Sequence, residues 1–133
     1  MSTDLVAFLN ARLNEDEAAA AGTLDPAANT GRFRGKRVVR WKVTSNGSGI
    51  IDVDGGTLRA KDVFPAEAEH IVRHDPARVL AEVDAKRRIL AECEGVEYQD
   101  SRGMASMADN ILRLLALPYA EHPDYRPEWA PGA

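Results

Sequence analysis

The sequence predicts an α+β fold in which a small three-stranded antiparallel sheet is packed with about four helices. Three observations carry that expectation. Apolar residues recur at three- and four-residue intervals near the N-terminus and again in the second half of the chain, as on one face of a helix. Between about residues 39 and 58 they alternate singly instead, as on a half-buried strand. Stretches rich in Gly, Pro, Asn and Thr fall between these regions, where turns belong. With 133 residues, 44% of them apolar, the chain is expected to form one domain that buries roughly two thirds of its unfolded surface.

The first helix is expected over residues 1–21. Ser2 or Thr3 offers a hydroxyl cap and Asp4 faces the positive helix end. Leu5, Phe8, Leu9 and Leu13 form the apolar stripe, with Asn10, Arg12, Asn14, Glu15 and Asp16 mostly on the other side, and Gly22 ends the helix. Residues 22–31, GTLDPAANTG, read as a linker.

A basic β-meander is expected over residues 32–61. Val39, Trp41 and Val43 alternate with Arg40, Lys42 and Thr44. After the turn residues NGSG, Ile51 and Val53 alternate with Asp52 and Asp54. The strand order then places Arg40 and Lys42 opposite Asp52 and Asp54 on a charged face, with Leu58 of a short third strand on the apolar one. Such a sheet is stable only if helices cover its apolar side, and Trp41 is the expected contact.

Helical periodicity returns over residues 62–117. Pro65 suits a first helical turn, and Asp75-Pro76 reads as a corner in which Asp75 caps the next helix and Pro76 begins it. Val79, Leu80, Val83 and Leu90 with the stem of Arg87 form that helix's buried stripe. The last helix, about Met104 to Leu117, carries Met104, Met107, Ala108, Ile111, Leu112, Leu115 and part of Leu114 until Pro118 stops it. Leu9, Trp41, Val83, Leu90, Ile111 and Leu115 are the expected core. The tail, residues 118–133, combines four prolines with Tyr119, Tyr125 and Trp129. It reads either as a seal over the helical core or as a recognition arm, since prolines lower the entropy cost of ordering an extended segment and aromatic rings anchor it.

Charge is unevenly spread. Residues 1–30 carry five acids and one base, residues 31–61 eight bases and two acids, and residues 62–133 fourteen acids and eight bases, for a net −4. The basic island centred on Arg34, Lys36 and Arg37 is expected to be a partner-binding site, for an acidic protein surface or for nucleic acid, with Tyr119, Tyr125 and Trp129 as a second one. The longest apolar run, 111–119, contains Arg113 and is far short of the about 20 residues a membrane span needs. Asp4 sits where a secretory signal requires positive charge, and the lone Cys93 suits a reducing compartment, so the expectation is a cytoplasmic chain with no membrane contact.

Catalytic patterns are missing. There is no GxSxG elbow, and NGSGI and DGGT are hairpin glycines without the strand-to-helix context of a phosphate loop. His70 and His74 are four apart on one helix, and Cys93 or His122 would complete a metal site only if the fold gathered them. Without a second sulfur or an HExxH pattern, no metal or cofactor is expected.

Three blocks, LVAFLNARLNEDEAAA (5–20), HIVRHDPARVLAEVDAKRRILAEC (70–93) and NILRLLALPYAEHPDYRPEW (110–129), resemble the small actinobacterial and actinophage proteins grouped as the DUF6221 family. That family has no established activity, so the resemblance implies no catalytic residues. The combined expectation is a non-catalytic accessory or regulatory protein, associated with phage or mobile elements, that works through protein contacts and is able to self-associate. The alternatives are a nucleic-acid-binding module using the basic hairpin 32–42 and, third, an enzyme or metal protein.

Overall fold

The computed structural model describes residues 3–23, 39–53, 56–96 and 102–132. They form helices α1 (Thr3–Ala21), α2 (Pro65–Arg73), α3 (Pro76–Val96) and α4 (Arg102–Ala116) and strands β1 (Trp41–Val43), β2 (Ile50–Asp52) and β3 (Leu58–Ala60), an α+β arrangement as the periodicities predict. Two short 3-10 turns follow α4, at Leu117–Tyr119 and Pro127–Trp129. Arg34, Lys36 and Arg37 lie outside the described residues, as do most of the linker and Asp54. By contacts the chain divides into two compact units, Met1–Glu15 with Val83–Ala133, and Asp16–Glu82.

The first unit is helical. Leu5, Phe8 and Leu9 of α1 meet Leu90 and Cys93 of α3, Ala108, Leu112 and Ala116 of α4, and Trp129. The N-terminal stripe is therefore as expected, but that of α4 is not centred where its periodicity placed it. Leu112 and Ala116 are fully buried, Ile111 and Leu115 only flank the core, and Met104 and Met107 are exposed. The buried centre runs Ala108-Leu112-Ala116, a row with steps of four. The two alanines leave room for close packing about the leucine, whereas the apolar arc around them is wider than the surface the unit covers.

The second unit holds the sheet, in the order β1-β2-β3 with both pairs antiparallel. The β1–β2 loop is fixed by Asn46, whose Oδ1 accepts from Thr44 Oγ1 (2.6 Å) and the Ser48 amide (3.1 Å), and by Gly47, whose φ of 78° favours glycine. Asp75 performs the predicted corner. Its Oδ1 accepts from the Arg78 amide at 2.9 Å, capping α3, and its Oδ2 accepts from the Trp41 amide at 3.2 Å, tying the helix start to β1.

The strand register differs from the expected one by a residue. Trp41 pairs with Asp52, Lys42 with Ile51 and Val43 with Ile50, so Arg40 and Lys42 do not face Asp52. Ile50 and Asp52 point inward, while Val53 and Leu58 are exposed. A one-residue slip exchanges the two faces of a strand, and here it is set by an ion pair. Arg59, beside the irregularity between Ile50 and Ile51, reaches back to Asp52 with Nη2 2.7 Å from Oδ2, which lets a carboxylate occupy the inner face. Trp41 is half-buried; the fully buried residues of this unit include Ile50 and Ala68.

Replacing Leu112 by Ala should cost about 2 to 5 kcal/mol, because the cavity left behind has no slack to collapse into. Met107→Ala should stay within about 0.5 kcal/mol, as exposed positions do. Chemical denaturation of the two variants checks the orientation of α4; equal losses would mean that the helix is turned the other way.

Candidate interaction surfaces

The tail folds back on α1, and Phe8 receives it. Tyr119, His122, Tyr125 and Trp129 place their rings 6.4, 5.8, 5.9 and 5.0 Å from the Phe8 ring, edge-on or tilted. Trp129 is 4% exposed, and Tyr119 and Tyr125 pack partly buried against the same cluster. The three aromatics named above as a binding site therefore spend most of their surface on the core, which is the sealing arrangement. Arg126 lies over the Trp129 ring at 5.4 Å and pairs with Asp4 at 3.0 Å, and Arg113 donates to the Glu128 carbonyl, so polar contacts fix the segment at both edges.

Arg12 follows from this wrapping. Sequence periodicity put it on the outer face of α1, yet it is 6% exposed, because residues 122–124 of the tail cover it. Its guanidinium pairs with Glu15 at 2.9 Å, lies 2.6 Å from the ring nitrogens of His122 and 3.8 Å from the Asp124 carboxylate, and stacks 5.0 Å over Phe8. Nothing local to α1 signals that burial. His122 is thereby engaged with Arg12.

His70 of α2 and His74, the residue that caps the helix end, lie side by side, ring centroids 4.6 Å apart and both exposed. Nδ1 of His74 is 2.8 Å from the His70 carbonyl and donates to it. Among the described residues no three His, Cys, Asp or Glu side chains gather as a metal site requires. Cys93 is buried in the helical unit, and burial first, then the neighbouring Glu92 carboxylate, raises its thiol pKa. It is a packed apolar side chain and a poor nucleophile.

The surface that sequence reading missed is on α4. Gly103, Ser106, Met107, Asn110, Leu114 and Leu117 are all exposed, the last at the first position of the 3-10 turn, and none of them is charged. Met107 is 64% exposed, Leu114 48% and Leu117 47%. Beside this face a cleft of about 150 Å³ opens between the ends of α3 and α4, lined by Glu92 and otherwise by apolar side chains that include Cys93, Val96, Met104, Met107 and Ile111. In a chain with 29% charged residues, five helical positions and their continuation without a charge were a signal available in the sequence. It is hidden there by the apolar stripe it adjoins.

The sheet presents a second surface. Arg40 and Lys42 are exposed and, among the described residues, neither has an ion-pair partner, since Asp52 is on the other face with Arg59. Lys42 shares its face with Ile51 and, across β2, the 55% exposed Leu58. Within the hairpin 32–42, Arg40 and Lys42 are the basic residues that fall among the described ones.

A family described as a family of unknown function, DUF6221, matches residues 2–131. No curated protein and no solved structure matches the chain.

The tail's role has a direct check. Trp129→Ala should lower stability by about 3 to 5 kcal/mol, the range for a core Trp. Deleting residues 119–133 should cost at least as much, and an unchanged melting temperature in the truncated chain would show that the segment does not seal the core.

Proposed function

We propose that this chain, which belongs to the DUF6221 family, is a non-catalytic accessory or regulatory protein that acts through protein contacts made by the exposed face of α4. One observation carries the reading: Met107 and Leu114 of α4 and Leu117 of the turn that follows stand exposed in a row that carries no charge. Aligned apolar side chains cost free energy in water that a partner recovers, and methionine adapts to many partner shapes. The absence of familiar catalytic patterns in the sequence and the engagement of His122 with Arg12 and of Cys93 with the core support a binding role. The lone cysteine and its packed, unreactive setting support a cytoplasmic location. Among the described residues no helix is long and apolar enough to cross a membrane. The resemblance noted above supports a setting in actinobacteria and their phages.

Capture from a host lysate tests this when wild type is compared with Met107→Glu/Leu114→Glu. The double variant should keep its melting temperature and lose the proteins that wild type retains, while Ala105→Glu, on another side of α4, should retain them. Identical captured sets for wild type and the double variant would remove the face from consideration.

A nucleic-acid role has one observation in its favour: Arg40 and Lys42 are exposed and, among the described residues, have no ion-pair partner. A chain working through protein contacts alone should pass DNA, RNA and heparin columns at about 50 mM salt, where phosphate contacts are strongest. Retention that falls steeply by about 200 mM, and that Arg40→Glu/Lys42→Glu abolishes, would carry the nucleic-acid reading instead.

A further inference from the structure

The exposed face of α4 repeats every seven residues. Gly103, Asn110 and Leu117 form one set and Met107 and Leu114 the other, and the steps between them run four, three, four, three. That is the spacing at which one helix meets another along a continuous seam. A groove for an extended peptide or a small ligand would not need it. The geometry points to a second copy of this chain as the occupant, its α4 packed antiparallel to the first about a two-fold axis near Asn110; this deepens, and rests on, the protein-contact reading of the same face.

Three properties of the seam select a copy of itself. Its central residue is Asn110, exposed and without a hydrogen-bond partner among the described residues. A carboxamide both donates and accepts, so two of them related by a two-fold axis satisfy each other, whereas an apolar partner would desolvate Asn110 with nothing in return. A single Asn in an apolar seam is also a known device for fixing register. Second, the ends are complementary in size. With Asn110 on the axis, Gly103 meets Leu117 of the second copy and Met107 lies beside its Leu114, so the smallest residue faces a large one. A parallel pair would set Gly103 against Gly103 and leave a void. Third, the face carries no charge, so two copies of a chain with net charge −4 bring no like charges together where they touch. Helix α4 is 15 residues, about 22 Å long, so the contact belongs with the smaller interfaces and should be reversible.

Sedimentation equilibrium of the full chain across the micromolar to millimolar range should show the mass rising from 14.5 kDa toward twice that value. Because the copies repel at long range, added salt should strengthen the association modestly. Met107→Glu/Leu114→Glu should hold the protein at the monomer mass. Should that variant unfold, Asn110→Asp gives the same readout, since it changes one exposed side chain and sets two like charges on the axis. Geometry is read by cross-linking in a Cys93→Ala background. Asn110→Cys should oxidise to a disulfide-linked dimer, and Met107→Cys should cross-link to Leu114→Cys in a mixture but not to itself, because a disulfide needs Cα atoms within about 7 Å. A mass that stays monomeric throughout, or a dimer that survives both Met107→Glu/Leu114→Glu and Asn110→Asp, overturns the assignment. Cross-linking of Met107→Cys to itself overturns the antiparallel arrangement. A monomeric wild type whose captured proteins are nevertheless lost in the face variant keeps the protein-contact reading and discards the second copy alone.

Discussion

The helical unit depends on the Phe8 ring. Four rings from the C-terminal segment meet it within 6.4 Å, and this one contact determines where the last residues of the chain run. Aromatic side chains bury a large area for few rotatable bonds, and the tail's prolines leave it less freedom to lose on docking. The wrapping has consequences for charge as well as for apolar area. Arg12, one turn along from Phe8, is roofed by residues 122–124, and its two terminal nitrogens are met by Glu15, His122 and Asp124. A buried guanidinium stripped of those partners would be far costlier than one left in water.

The same path explains what is left open. The tail approaches α4 on the side of Asp109 and Arg113, which form an ion pair at 2.8 Å while Arg113 also donates to the Glu128 carbonyl. The face that carries Met107, Asn110 and Leu114 has no such cover. An apolar arc wider than its own core is a cost that a monomer has no reason to keep, and occupation of that arc by another helix is the physical basis for reading it as a contact surface.

In the sheet unit a different rule applies. Three-residue strands have little intrinsic stability, so their register is set by individual side chains. Asp75 binds the β1 backbone to the start of α3, and Arg59 neutralises Asp52 on the inner face. The second of these holds Asp52 away from Arg40 and Lys42, which it was expected to face, and leaves those two exposed.

Sequence alone determined the elements and their ends: α1 stopping at Gly22, the Asp75-Pro76 corner, Pro118 closing α4, the alternating strands and the family resemblance. Each of these rests on local chemistry, a cap, a fixed φ or a period, and needs no knowledge of what lies elsewhere in the chain. The inward stripe of α1 was equally legible, because that stripe is narrow and bounded by polar residues. What the tertiary structure decided is which groups are covered. The centre of the α4 stripe fell on Leu112 and not on Ile111 or Leu115, Arg12 was buried although it sits among outward residues, and Asp52 replaced Ile51 on the inner side of β2. Periodicity records which side chains share a face but not how much of that face another segment reaches. For Arg12 and Asp52 the deciding partners lie 110 and 7 residues away, at His122 and Arg59, where no local pattern points to them.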